Sequence, residues 1–208
     1  APVAGFENVP GLADPQGMFW DNAPLVNEHA SADEIETEIR AQIAKAKHMG
    51  FPITHMDSHM GTLFATPAFF ERYMKVGIEK KIPILVSAIR GGGRRAELAE
   101  FPEKVWEGGL PVVDGVVAST YGWKTLDEKK TNMVKTLREL RPGVTEIIVH
   151  CNVWTENFNH ISTSGSTRQA DLDVMIDPEI KTILQEEGIV LSTWKELMER
   201  RQAVGKTA

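Results

Sequence analysis

Apolar residues recur on one helical face between Ile35 and Ala46, where Ile35, Ile39, Ile43 and Ala46 align and Glu, Arg and Lys take the opposite face. Ser31 and Glu34 form a capping box ahead of this stripe, and Gly50 and Pro52 close it, so the pattern predicts a helix over 32–49. A second helix is predicted from Pro67, since proline at a first helical position gives up an N–H that would be free anyway; Phe70, Met74 and Ile78 space its contacts, and it ends near 77–80. The period then changes. IPILVSAI, 82–89, is a nearly continuous apolar run, as in a strand buried on both faces. Shorter strands are predicted at 52–57, 144–150 and 188–192, and further helices over 126–140, from Pro178 to about 187, and from Trp194. Residues 1–30, with four prolines and three glycines, read as turn-rich chain. The long stretch 90–125 carries Trp106, Tyr121 and Trp123 and reads as an ordered cover, and 151–175 reads as a polar loop.

Short strands alternating with helices imply an α/β fold with a mostly parallel sheet and right-handed crossovers. Ligands in such folds sit beyond the carboxyl ends of the strands. The polar residues follow that rule: His55, Asp57 and His59 end one predicted strand, His150 ends another, and the two longest loops start at the same edge.

His55, Asp57 and His59 form H-x-D-x-H within PITHMDSHMGTLF, and side chains two apart on extended chain share a face. Imidazole with carboxylate suits a divalent transition metal or acid–base catalysis; a hydrogen-bonded strand end with incidental histidines is the alternative. Asp57 is placed to orient a histidine through its second ring nitrogen. His150, at a strand end, is a candidate general acid. The adjacent Cys151 points the other way on an extended strand and reads as a small buried hydrophobe.

A length of 208 residues suits one ordinary core, and 42% apolar with 25% charged residues is a globule's composition rather than a disordered chain's. The net charge of -6 argues against a non-specific nucleic-acid binder. The basic spots KHMG, 47–50, and GGGRR, 91–95, read as solvated faces, and the latter lacks the spacing of a nucleotide-binding loop. A single cysteine forbids an intrachain disulfide. No apolar run is long enough to span a membrane, and APVAGFENVPG has neither the charged nor the apolar region of a signal peptide. A cytoplasmic location is the expectation, with export left open because the chain lacks an initiator methionine.

THMDSH, 54–59, and PGVTEIIVH, 142–150, resemble two blocks of the YdjC-like (ChbG/HpnK) carbohydrate deacetylases. Asp14 to Phe19, WEGGLPVVD at 106–114, Arg168, Asp177-Pro178 and GIVLSTWKEL at 188–197 extend the likeness over most of the chain. The resemblance implies a distorted (β/α) barrel of the TIM-barrel type that removes N-acetyl groups from amino sugars or oligosaccharides with a divalent metal, Mg or Zn. It makes His59 a metal ligand, with His55 beside it at the metal. It makes His150 and Asp57 the catalytic candidates, Asp57 by orienting the site. Tyr121 and Trp123 would stack on a sugar ring, and Arg168 would bind its anionic or hydroxyl groups. The partners implied are a small carbohydrate and, through open strand edges, a second copy of the chain.

Three departures stand beside the likeness. The family's early Asp-Asp pair is absent from residues 1–30, Met60 to Leu63 replace further histidines, and Cys151-Asn152 replace proline and glycine. About four strands are predicted where a closed barrel needs about seven or eight. The expectation is one catalytic-type α/β domain over 1–208, forming the carboxyl-terminal two thirds of a larger barrel. The alternative is a non-catalytic carbohydrate-binding or scaffold relative with an incomplete metal site.

Overall fold

The computed structural model describes residues 1–88 and 100–204. In it, the Asn22 side chain accepts the Leu25 N–H and starts α1 (Ala23–His29). The Ser31 hydroxyl accepts the Glu34 N–H while the Glu34 carboxylate accepts the Ser31 N–H, and this reciprocal cap starts α2 (Ala32–His48). The Thr66 hydroxyl accepts the Phe69 N–H and starts α3 (Pro67–Lys80). Next come α4 (Phe101–Glu107), strand β1 (Gly115–Val117), α5 (Leu126–Arg138) and strand β2 (Thr145–Ile147). Then follow α6 (Gly165–Met175), α7 (Pro178–Glu186) and α8 (Trp194–Val204). Among the described residues no helix is long and apolar enough to cross a membrane.

The chain divides into two compact units, Ala1–Val112 with Ser192–Ala208, and Val113–Leu191. In the first, Phe70, Tyr73, Ile84, Val86, Phe101, Val105 and Leu110 form a buried cluster, and Phe70 packs on both Tyr73 and Phe101. A second cluster joins Val9, Leu12, Val26, Ile35 and Phe69, so the amino-terminal chain is part of the core. Glu38, 4% exposed, secures it by accepting the N–H groups of Val3 and Ala4 at 3.0 and 2.9 Å. In the second unit, Met133 and Leu137 of α5 pack against Val174, Ile180 and Ile183 of α6 and α7.

The second unit holds the sheet. β1 and β2 pair in parallel, with Gly115, Val116 and Val117 opposite Thr145, Glu146 and Ile147. Gly143 prepares this pairing. At φ 134° it allows Asp114 to accept the Val144 N–H at 2.7 Å, and a Cβ there would lie 2.6 Å from the Asp114 carboxylate.

The closed barrel that the resemblance implies is not what the chain forms. Among the described residues the sheet is open and has two strands, whereas every strand of a barrel pairs on both sides. The predicted strands at 52–57 and 82–89 meet only at the parallel bridge of Met56 with Ile84. Proline limits the pairing: Pro83 accepts the Met56 N–H at 2.9 Å but has no N–H with which to carry the ladder back to the Thr54 carbonyl. The Tyr73 hydroxyl takes over the joint, donating to the Met56 carbonyl and accepting the Leu85 N–H. The predicted strand at 188–192 is also absent. Gly188 turns left-handed, the Ile189 N–H returns to the Leu184 carbonyl, and Val190 and Leu191 are exposed. Residue 89 and GGGRR, 91–95, lie outside the described residues.

Candidate functional site

The first unit carries the H-x-D-x-H residues. His55 is exposed at the residue level, yet its ring lies against the Trp194 indole at 5.5 Å between centroids. Its Nδ1 is 3.0 Å from the Thr54 hydroxyl. Loss of water around the ring holds its pKa below the usual histidine value, against the opposing charge of Asp57. Asp57 turns back on its own chain and accepts the Ser58 N–H at 2.7 Å. His59 is exposed, and its carbonyl accepts the Thr62 hydroxyl. Met60 and Gly61 then both adopt left-handed backbone, with φ of 55° and 69°, which redirects the chain immediately after His59.

A divalent metal needs three or more convergent donors. Among the described residues no group of three His, Cys, Asp or Glu side chains could hold one. The expectation of a formed metal-binding group is corrected to that extent, while the Mg or Zn that the family resemblance implies, and its assignment to His59 and His55, stay expectations. Alternation along a strand aligns donors only while the chain stays extended, and this segment leaves the extended conformation after Ser58.

The second unit assembles a pair. The rings of Tyr121 and His150 meet edge to face, 5.3 Å between centroids and 67° between planes. Tyr121 sits in a 3₁₀ turn, Ser119–Gly122, and is 44% exposed, with Lys124 Nζ over its ring at 4.7 Å. His150 follows β2 and is half-buried. Its N–H donates to Asp171 Oδ2 at 3.0 Å. The other oxygen of Asp171 receives Lys129 Nζ at 2.7 Å, with side-chain exposures of 3% and 1%. Lys129 also donates to the Thr120 carbonyl at 2.9 Å, and the Thr120 hydroxyl donates to the Ile148 carbonyl.

The other predicted contacts separate. Trp123 packs against the cluster of Met133, Leu137 and Val174 and so serves the core more than a ligand. Arg168 is anchored through Nε to the Ser164 hydroxyl at 2.8 Å, and its carbonyl accepts the Asn152 N–H. Cys151 is exposed rather than buried, and its thiol is pushed up first by partial desolvation and then by the Asp171 carboxylate. It is therefore a protonated thiol at neutral pH.

The buried Lys129–Asp171 pair was not foreseen, although a signal for it existed. Lys129, Met133 and Leu137 fall four apart, which places a charge on the apolar stripe of α5.

Residues 1–186 match the family model described as YdjC-like protein. A carbohydrate deacetylase of Thermoanaerobacter pseudethanolicus is 26% identical, over 93% of this chain and 72% of its own length. One from Thermus thermophilus is 27% identical over 84% of this chain and 64% of its own. The crystal structure of a candidate cellobiose-phosphate cleavage protein from Enterococcus faecalis superposes with a TM-score of 0.76 at 19% identity, covering 94% of this chain and 72% of that one. That likeness speaks for the fold alone.

Proposed function

The chain belongs to the YdjC-like protein family, and we propose that within it this chain recognises a carbohydrate through the Tyr121–His150 surface, with an incomplete metal site. The observation that carries this reading is the contrast between the two candidate groups. Tyr121 and His150 are held together on a buried scaffold, whereas His55 stacks on Trp194, Asp57 accepts the Ser58 N–H, and among the described residues no three donors form a metal-holding group. An exposed aromatic ring beside an imidazole offers an apolar face for sugar C–H groups and a polar atom for a hydroxyl or an amide. The chemical class that fits an aromatic face beside an imidazole is an amino sugar.

N-deacetylation is a second reading, supported by the activity named for the relatives. In it a water oxygen bonds to the acetyl carbon as one water proton passes to solvent, and the C–N bond breaks as His150 protonates the departing amine; acetic acid is left, which ionises to acetate, and solvent restores the His150 proton. Among the described residues no group of three donors fits a metal, so no step is assigned to one.

A titration of the full chain with N-acetylglucosamine, followed by NMR and by acetate release, tests both readings. Saturable shifts at Tyr121 and His150 without acetate support recognition. Acetate release that is lost in H150A supports hydrolysis. Neither shifts nor acetate would overturn both.

A further inference from the structure

We infer that the buried Lys129–Asp171 ion pair is a positioning device that sets the His150 ring against the Tyr121 ring. The inference rests on the reading of that ring pair as a carbohydrate surface.

The geometry is a closed set of contacts between four pieces of chain. Lys129 comes from α5 and Asp171 from α6, 42 residues apart in sequence. The two carboxylate oxygens of Asp171 do different work: Oδ1 takes the ammonium at 2.7 Å and Oδ2 takes the His150 N–H at 3.0 Å. The ammonium in turn donates to the carbonyl of Thr120, the residue before Tyr121, at 2.9 Å. One ion pair thus fixes the backbone beneath both rings. The Thr120 hydroxyl closes the set by donating to the carbonyl of Ile148, two residues before His150.

Burial makes the arrangement specific. Thr120 is 0% exposed, Lys129 1% and Asp171 3%, so water cannot substitute for a missing partner. Stability alone is a weak reason to keep such a pair, because well-packed apolar residues of similar volume commonly serve as well or better. What an apolar pair cannot do is accept the His150 N–H and donate to the Thr120 carbonyl. Those two bonds carry the orientation, and the side chains they orient are the two that reach the surface. Lys129 and Asp171 are accordingly positioning residues that need not touch the sugar.

The test compares the wild-type chain with the double variant K129M/D171L, using Y121L as the reference for a missing ring. Circular dichroism and thermal melting report the fold, the ¹H–¹³C signals of the His150 ring report its place beside Tyr121, and N-acetylglucosamine is the binding probe. The expected result is a cooperatively folded double variant whose His150 signals move to the Y121L values, with binding weakened about tenfold or more. A folded double variant with wild-type His150 signals and wild-type affinity would overturn the inference. Should the double variant not fold, amide exchange in the wild type decides. The His150 N–H, held by Asp171, exchanges as slowly as the amides of β2, and exchange as fast as an exposed amide would sink the idea. A wild-type chain that does not bind the sugar ends the recognition reading alone, since the His150 signals still report the positioning.

Discussion

The His55 imidazole lies nearly parallel to the Trp194 indole, with 16° between the planes. Stacking removes water from one face of the ring, and desolvation is the largest influence on its titration; the Asp57 charge works in the opposite sense. The folded chain therefore takes up the His55 proton at lower pH than the unfolded chain does. Stability contributed at this position is full above the ordinary histidine value of about 6.5 and declines as pH falls through it towards the lower folded-state value. Trp194→Ala raises the His55 pKa and flattens that dependence. An NMR titration of His55, with urea midpoints between about pH 5 and pH 8, checks both. An unchanged His55 titration in the variant would remove Trp194 as the cause.

Gly77→Ala in α3 destabilises the fold, although alanine is the better helix former. A Cβ at Gly77 would lie 2.7 Å from Ile84 Cγ2 and 3.1 Å from the Ile82 carbonyl, and the backbone there cannot yield as a flexible side chain would. The expected cost is about 1–3 kcal/mol, measured as a shift in denaturant midpoint at unchanged m-value.

Glu38→Ala releases the amino-terminal chain. It strips the Val3 and Ala4 N–H groups of their acceptor and costs about 1–3 kcal/mol. Limited proteolysis then cuts within the first residues at a protease concentration that leaves the parent intact. Glu38→Gln, which keeps one good acceptor, falls between the two.

Sugar affinity is indifferent to chelation under the recognition reading. The Kd for N-acetylglucosamine is equal with and without EDTA, and Tyr121→Ala weakens binding by about 1 kcal/mol while Tyr121→Phe retains it. A metal-dependent Kd would restore the metal expectation that the lack of a three-donor group among the described residues argues against.

Where local chemistry decides structure, the sequence was readable. The Ser31–Glu34 box and the isoleucine stripe place α2 to within a residue, because both act within a few turns of chain. The apolar run at 82–89 was legible as buried but not as unladdered: Ile84 is 0% exposed, yet Pro83 withholds the donor that a ladder needs. α6 was hidden because RQADLDVM is polar on most of its turns, and its inner face mixes the apolar Ala170 and Val174 with the buried carboxylate of Asp171. Tyr121 and His150 were legible singly as candidates. Their meeting was not, since it depends on a Lys129–Asp171 contact across 42 residues that no local pattern encodes.

The first unit is interrupted in sequence, for its last helix, α8, returns only after the whole second unit has been made. α8 has no buried residue; it is held by His55 stacking on Trp194, by Met198 against the core and by Arg201 on the carbonyl and ring of Trp106. Contacts across 95 residues form late, because a long loop must close before they contribute. The same helix is the natural first element to detach, at a free energy well below that of global unfolding. Its amides should therefore lead those of α3 in hydrogen exchange, and each opening strips the indole from His55, so that the pH response of that ring records how often the helix leaves.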